Sequence, residues 1–171
     1  MIFKQIEAIL NGTKTQTRRV RKDTEGAVAS LSFNDDYVRV YSLGKRSFVK
    51  WQVGKSYAIV PKRGAAGVWI SPDGKMRHPV TYTHDMEWDT TLRHDARGWL
   101  RELGYRPAKI RLTAIRCEHL HDITEQDARA EGVASVDEYK VLWESINGRT
   151  KGARWADNPE VWVLEFELAK E

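Results

Sequence analysis

The segment Lys14–Lys22, KTQTRRVRK, carries five positive charges and two threonines in nine residues, without a single acid. Two chemistries suit those residue types. Lys and Arg grouped along a strand hold phosphate or carboxylate, and on a sheet edge they also discourage association with another sheet. A threonine hydroxyl becomes a nucleophile when a base lies within hydrogen-bond reach, and a lysine is such a base only when neutral. Lys14 would then need a depressed pKa. Nearby Arg18, Arg19 and Arg21 push that way, as does partial burial, because like charge and desolvation both disfavour an ammonium. The plainer reading of the same segment is a solvated or phosphate-contacting strand.

Other candidates are less complete. His119-x-His121 can set two imidazoles on one face of an extended segment, but Asp122 alone does not complete a metal set, and no metal or cofactor is implied. His78, His84 and His94 have no recognised ligand spacing with Asp85 and Asp95. The RGAAG run at 63–67 lies between strand-like valines and reads as a hairpin turn rather than a phosphate clamp. Trp88 and Trp99, set among charged residues, are the tryptophans best placed to stack on a base.

The elements that position these residues follow from pattern. Ile2, Phe3, Ile6, Ile9 and Leu10 recur at helical spacing, and Asn11-Gly12 supplies a left-handed stop, so a short helix feeds the basic segment. A strand is expected from Thr15, with others at 37–41, 47–53, 57–60 and 68–70. In a regular strand Lys14 and Thr17 would point to opposite faces; Lys14 is placed in the turn, leaving Thr15, Thr17 and Arg19 to share a face. KIRLTAIRC at 109–117 alternates Ile110, Leu112 and Ala114 against Arg111, Thr113 and Ile115, and VWVLEFEL at 161–168 sets Trp162, Leu164, Phe166 and Leu168 on one side. Between them, Thr124 and Ser135 cap two helices. Glu138 completes a capping-box pattern in the second, whose apolar stripe is Val136, Tyr139, Leu142, Trp143 and Ile146. Residues 71–107 read as an insertion, with a short helix at 95–104.

Composition sets the bounds. A chain of 171 residues that is 41% hydrophobic buries a core without staples, and one domain spanning 1–171 is expected. The single cysteine, Cys117, excludes an intrachain disulfide. With no leader-like or long apolar run, the expectation is a cytoplasmic protein without a membrane partner. Twenty-eight basic against 24 acidic residues leave a net charge of +4, too mild to establish a nucleic-acid partner.

The order of helix, ILNGTKTQTRR, β-rich middle, RLTAIRCEHLHDITEQDARAEGV, Trp-bearing helix and terminal VWVLEFEL strand resembles the ASCH domain family. The segment LWESINGRTKGARWADNPEVWVLEF carries the order Trp143, Trp155, Asn158-Pro159, Trp162, and it is similar to longer members common in phages and prophages. The resemblance covers both ends of the chain and leaves 71–107 uncovered. It implies an α+β fold, a small PUA-like β-barrel with flanking helices. The family includes a compact bacterial amidohydrolase that deacetylates N4-acetylcytidine, and its G-x-K-T-x-T-x-R motif is matched by Gly12, Lys14, Thr15, Thr17 and Arg19.

That resemblance implies a site of Lys14, Thr17 and Glu131, the last placed by ITEQDARAEGV. Lys14 would activate the Thr17 hydroxyl, and Glu131 would protonate the departing amine and then activate water. Arg18, Arg19 and Arg21 would hold an anion or the developing oxyanion, with Trp88 and Trp99 against the base. The substrate expected is N4-acetylcytidine or a related N4-acylated nucleoside. Two alternatives share the fold: a non-catalytic RNA-binding module in which the arginines hold phosphates, and an RNA nuclease.

Overall fold

The computed structural model describes residues 5–21, 28–34, 37–42, 48–60, 67–73, 76–77 and 101–169. It is mixed α+β, with a curled antiparallel half-barrel sheet and few helices. Helix α1 is Ile6–Leu10, and the strands are β1 (Gln16–Val20), β2 (Val28–Asn34), β3 (Tyr37–Ser42), β4 (Phe48–Gln52), β5 (Ser56–Ala58), β6 (Trp69–Ile70), β7 (Met76–Arg77), β8 (Arg106–Pro107), β9 (Lys109–His119) and β10 (Glu160–Leu168). Helices α2 (Glu125–Ala130) and α3 (Val136–Asn147) lie between β9 and β10. The principal sheet has the order β1-β10-β9-β5, and two three-stranded sheets have the orders β2-β3-β4 and β7-β6-β8.

The chain divides into two compact units, one of residues 7–55 and 111–167, the other of 56–110 with both chain ends. In the second unit, Ile59 N–H donates to Ala108 O at 3.0 Å, Val68 N–H to Ile59 O at 3.0 Å and Ala108 N–H to Val68 O at 2.8 Å. Ile59, Val68, Trp69, Ile70, Ala108 and Ile110 are buried there.

The first unit holds the basic segment. Gly12 stops α1 at φ +80°, a conformation that costs a glycine nothing. The chain turns into β1, which pairs antiparallel with β10 so that Thr17 lies opposite Leu164, Arg18 opposite Val163 and Arg19 opposite Trp162. Paired residues share a face, so Arg18 sits with Val163, and Thr17 and Arg19 with Leu164 and Trp162. On the Arg18 side, Val161 and Val163 join Leu120, Ile123, Ala128, Tyr139 and Trp143 in one buried cluster, with Val20, Val136, Leu142 and Trp155 packed against it.

The two helices begin as their sequences predict. Thr124 caps α2, its hydroxyl accepting the Asp127 N–H at 3.1 Å while the Asp127 carboxylate accepts the Thr124 N–H at 3.0 Å. Ser135 caps α3 in the same way at 3.2 Å. Glu138 does not close the second box, because its carboxylate takes the N–H of Ala134 instead.

Three further expectations are revised. Ile146 is 47% exposed, since the cluster under α3 is met by the stripe only as far as Trp143. Strand β10 is buried on both faces from Val161 to Leu164, because it is an inner strand lying between β1 and β9. Strand β9 keeps its alternation at Ile110 and Leu112 and then changes phase, burying Ile115. Strand β2 was not expected at all. No helix among the described residues is long and apolar enough to cross a membrane.

Trp143 is the largest side chain in the cluster, and its indole N–H donates to Ala153 O at 2.8 Å. Trp143→Ala is expected to cost about 3–5 kcal/mol in urea unfolding. Trp143→Phe, which keeps most of the packing but leaves the Ala153 carbonyl without its donor, should cost about 1–3 kcal/mol. A Phe variant as stable as wild type would assign the residue's contribution to packing alone.

Candidate active site

The end of α2 is where the basic segment meets the rest of the unit. Glu131 is the C-cap and Gly132, at φ +85°, follows it. Gly132 N–H donates to Arg129 O at 2.9 Å and Val133 N–H to Ala128 O at 3.1 Å, the paired bonds of a Schellman motif. Two later carbonyls of the helix remain to be satisfied, and the segment before β1 satisfies both. Thr15 N–H donates to Ala130 O at 2.8 Å, and Lys14 Nζ donates to Glu131 O at 2.6 Å. A cation at a helix C-terminus is also favoured by the aligned peptide dipoles.

The same ammonium donates to Glu131 Oε2 at 2.6 Å. Lys14 is 5% exposed and Glu131 2%. Burial drives the Lys14 pKa below the ordinary lysine range; the Glu131 carboxylate opposes this, and the charges of Arg19 and then Arg18 add to the depression. The lysine is therefore pulled toward neutrality by its surroundings and held charged by one partner. Thr17, three residues along, is buried at 6% exposure, and among the described residues no side chain bonds its hydroxyl.

Arg18 belongs to an internal ion network. Its side chain is fully withdrawn from solvent, with Nη2 at 2.7 Å from Glu118 Oε1 and 3.3 Å from Asp127 Oδ2, and Nη1 at 3.7 Å from Glu131 Oε1. Its guanidinium carbon lies 5.9 Å from the centre of the Tyr139 ring. From the solvent side Arg116 grips the same two acids, at 3.0 Å to Glu118 Oε2 and 2.8 Å to Asp127 Oδ1, and also pairs with Glu165. Burial, followed by the Glu131 carboxylate, pushes the Tyr139 phenol well above its ordinary range, so it stays protonated.

Of the residues expected from sequence, Lys14 and Glu131 are in contact and Arg18 is buried beside them, while Thr17 is buried on the face of β1 that it shares with Arg19. Arg19 is depressed by burial and supported by the Glu131 charge, which places it within the same field. Arg21 is turned away, its Nη1 2.7 Å from Glu160 Oε2 and its guanidinium 5.6 Å from the centre of the Trp162 ring. Trp88, Trp99, His78, His84 and His94 lie outside the described residues, as does most of RGAAG. His119 Nδ1 lies 3.3 Å from Asn158 O, and His121 Nε2 lies 2.8 Å from Trp155 O. Glu118, Asp127 and Tyr139 join the constellation without having been singled out. Tyr139 was expected only as part of the apolar stripe of its helix. The parity of β9 carried no signal for Glu118.

Two outcomes test this geometry. A Cβ at Gly132 would stand 3.2 Å from Lys14 Cβ and 3.4 Å from Ala8 Cβ, in a left-handed conformation. Gly132→Ala is therefore expected to lose about 1–3 kcal/mol in urea unfolding and to shift the Lys14 side-chain resonances. For Asp127, burial acts to raise the pKa and is outweighed by the Thr124 N–H and hydroxyl and by the Arg18 charge, leaving it lowered to about 2. Its folded pKa lies below the unfolded value, so its contribution is present above about pH 4 and lost as pH falls toward 2. Asp127→Asn should thus destabilise on the order of 1 kcal/mol at neutral pH, and the gap to wild type should close in acid. A gap independent of pH would mean that the charge of Asp127 contributes nothing. Comparisons with protein-family models, with curated proteins and with solved structures find no match to this chain.

Proposed function

We propose that the chain is an amidohydrolase of the ASCH type, built on a PUA-like barrel and acting on N4-acetylcytidine or a related N4-acylated cytosine nucleoside. The observation that carries this reading is the buried Lys14 ammonium shared between the carboxylate and carbonyl of Glu131, with a buried threonine three residues along the chain. A nucleophile, a base that burial depresses, and a carboxylate able to exchange a proton are the three groups that covalent amide hydrolysis requires.

In this mechanism the Thr17 hydroxyl attacks the acetyl carbon and gives its proton to neutral Lys14. The C–N4 bond breaks as N4 takes a proton from the Lys14–Glu131 pair, releasing the cytosine amine. Water then loses a proton to Glu131 as its oxygen adds to the acyl carbon, and the Thr17 oxygen leaves with a proton as acetate departs. Arg19, within the field of Glu131, is the arginine assigned to the developing oxyanion.

The RNA-binding alternative needs several cations of the segment free for phosphate. Arg18 is withdrawn onto Glu118 and Asp127, and Arg21 lies on Glu160, so two of them are already neutralised by carboxylates. That pairing favours the enzymatic reading over a phosphate-binding stripe.

The test is release of cytidine from N4-acetylcytidine by purified protein, followed by chromatography. Turnover should fall by about 10²–10⁴-fold in Thr17→Ala and in Glu131→Gln. Thr17→Ala is the more informative variant because it leaves the buried ion pair intact, whereas removing one partner of such a pair costs about 3–5 kcal/mol. Absence of cytidine at every pH from about 6 to about 9 would overturn the assignment; full turnover in Thr17→Ala would remove that residue from the mechanism.

A further inference from the structure

The two oxygens of the Glu131 carboxylate are held differently. Oε2 receives the Lys14 ammonium at 2.6 Å. Among the described residues, Oε1 is buried without a hydrogen bond and faces an Arg18 Nη1 that is likewise buried and unbonded, 3.7 Å away. Buried polar atoms normally find partners, so a donor and an acceptor stopped short of each other require a reason.

The reason lies on the other side of the guanidinium. Nη2 is drawn to Glu118 at 2.7 Å and Asp127 at 3.3 Å, and these acids are fixed from solvent by Arg116. Arg18 is thereby anchored with its charge beside Glu131 but without occupying Oε1. With its side chain at 0% exposure it cannot reach a ligand in solvent, so its charge acts on what surrounds it.

We propose that Arg18 is a positioning residue for the Lys14–Glu131 pair: its permanent charge, anchored by Glu118 and Asp127 at 3.7 Å from Glu131 Oε1, opposes the charge of the Lys14 ammonium while leaving the Lys14–Glu131 bond in place. Arg18 Nη1 stands 3.7 Å from the carboxylate that holds Lys14, so its charge bears on the same pair and opposes the lysine's own. The other charged or titratable groups facing the pair are Arg19 from β1, Asp127 from α2, Glu118 from β9 and Tyr139 from α3. Arg19 acts in the same direction on Lys14, so Arg18 contributes part of the effect and not all of it.

The role of Arg18 as an electrostatic control of Lys14 stands on this geometry; its catalytic consequence rests on the amidohydrolase reading. Lys14 is followed by ¹³Cε-lysine NMR in the full chain, its signal assigned by its loss in Lys14→Met. In Arg18→Met its titration midpoint should rise, by less than about one unit because Arg18 is the weakest of the influences on Lys14, and in Arg18→Lys it should return toward wild type. The acid limb of kcat/KM for N4-acetylcytidine should move upward by the same amount, whatever the height of the alkaline plateau. A purely structural role for Arg18 would lower the plateau and leave the limb where it was. If Arg18→Met does not fold because Glu118 loses its inner partner, Arg18→Met with Glu118→Gln removes the stranded carboxylate and carries the same expectation. An unmoved Lys14 midpoint overturns the inference. A shifted midpoint in a protein that releases no cytidine upholds the electrostatic control and overturns only the amidohydrolase reading.

Discussion

A helix must dispose of its last carbonyls, and in this protein that requirement fixes the site. Helix α2 ends in a Schellman turn at Gly132, and the carbonyls of Ala130 and Glu131 receive the N–H of Thr15 and the ammonium of Lys14. The chain leaving α1 is thus tied to α2 by a backbone and a side-chain bond in successive residues. Lys14 N–H is itself committed to Ala8 O at 2.7 Å, which fixes the lysine backbone before its side chain is placed. Strand β1 then starts at a defined point, and its register with β10 follows. The close approach of Lys14 Cβ to Gly132 admits no other residue type easily at that position.

Burying so many charges in one place is costly unless each is compensated. The compensation is layered. Lys14 and Glu131 pair inside; Arg18 stands between Glu131 and the acids Glu118 and Asp127; Arg116 closes the series from solvent. Removing an inner member strands a buried charge, whereas the outer Arg116, partly exposed, has water to replace what it loses. The gradient places Lys14 at the inner end, where burial lowers its pKa.

Much of this was legible because it is local. The Gly12 stop, the Thr124 and Ser135 caps and the strands at β9 and β10 each follow from residue type and short-range spacing. What depends on long-range pairing was not. Glu118 meets Arg18 across 100 residues, and nothing in the period of β9 distinguishes it from any other acid on a strand. Tyr139 occupies an apolar position of α3 and is buried as that predicts, yet its polar end is where it matters. Strand β2 contains only Val28, Leu31 and Phe33 as strong strand formers among smaller polar residues, and its place is set by pairing with β3. The arginines of the basic segment read as one charged surface, whereas register sorts them: Arg18 to the helix face, Arg19 and Arg21 to the other.

That sorting reconciles two demands that appear opposed. An ammonium wedged between a carboxylate and a helix carbonyl is a structural cap and should remain charged; a base must be able to lose its proton. Here burial first, and then the positive charges of Arg19 and Arg18, act against the same ammonium that the Glu131 carboxylate holds charged. On the proposed reading, the interaction that closes the helix and the interaction that would activate Thr17 are one and the same Lys14–Glu131 contact, flanked by Arg18 and its anchoring acids.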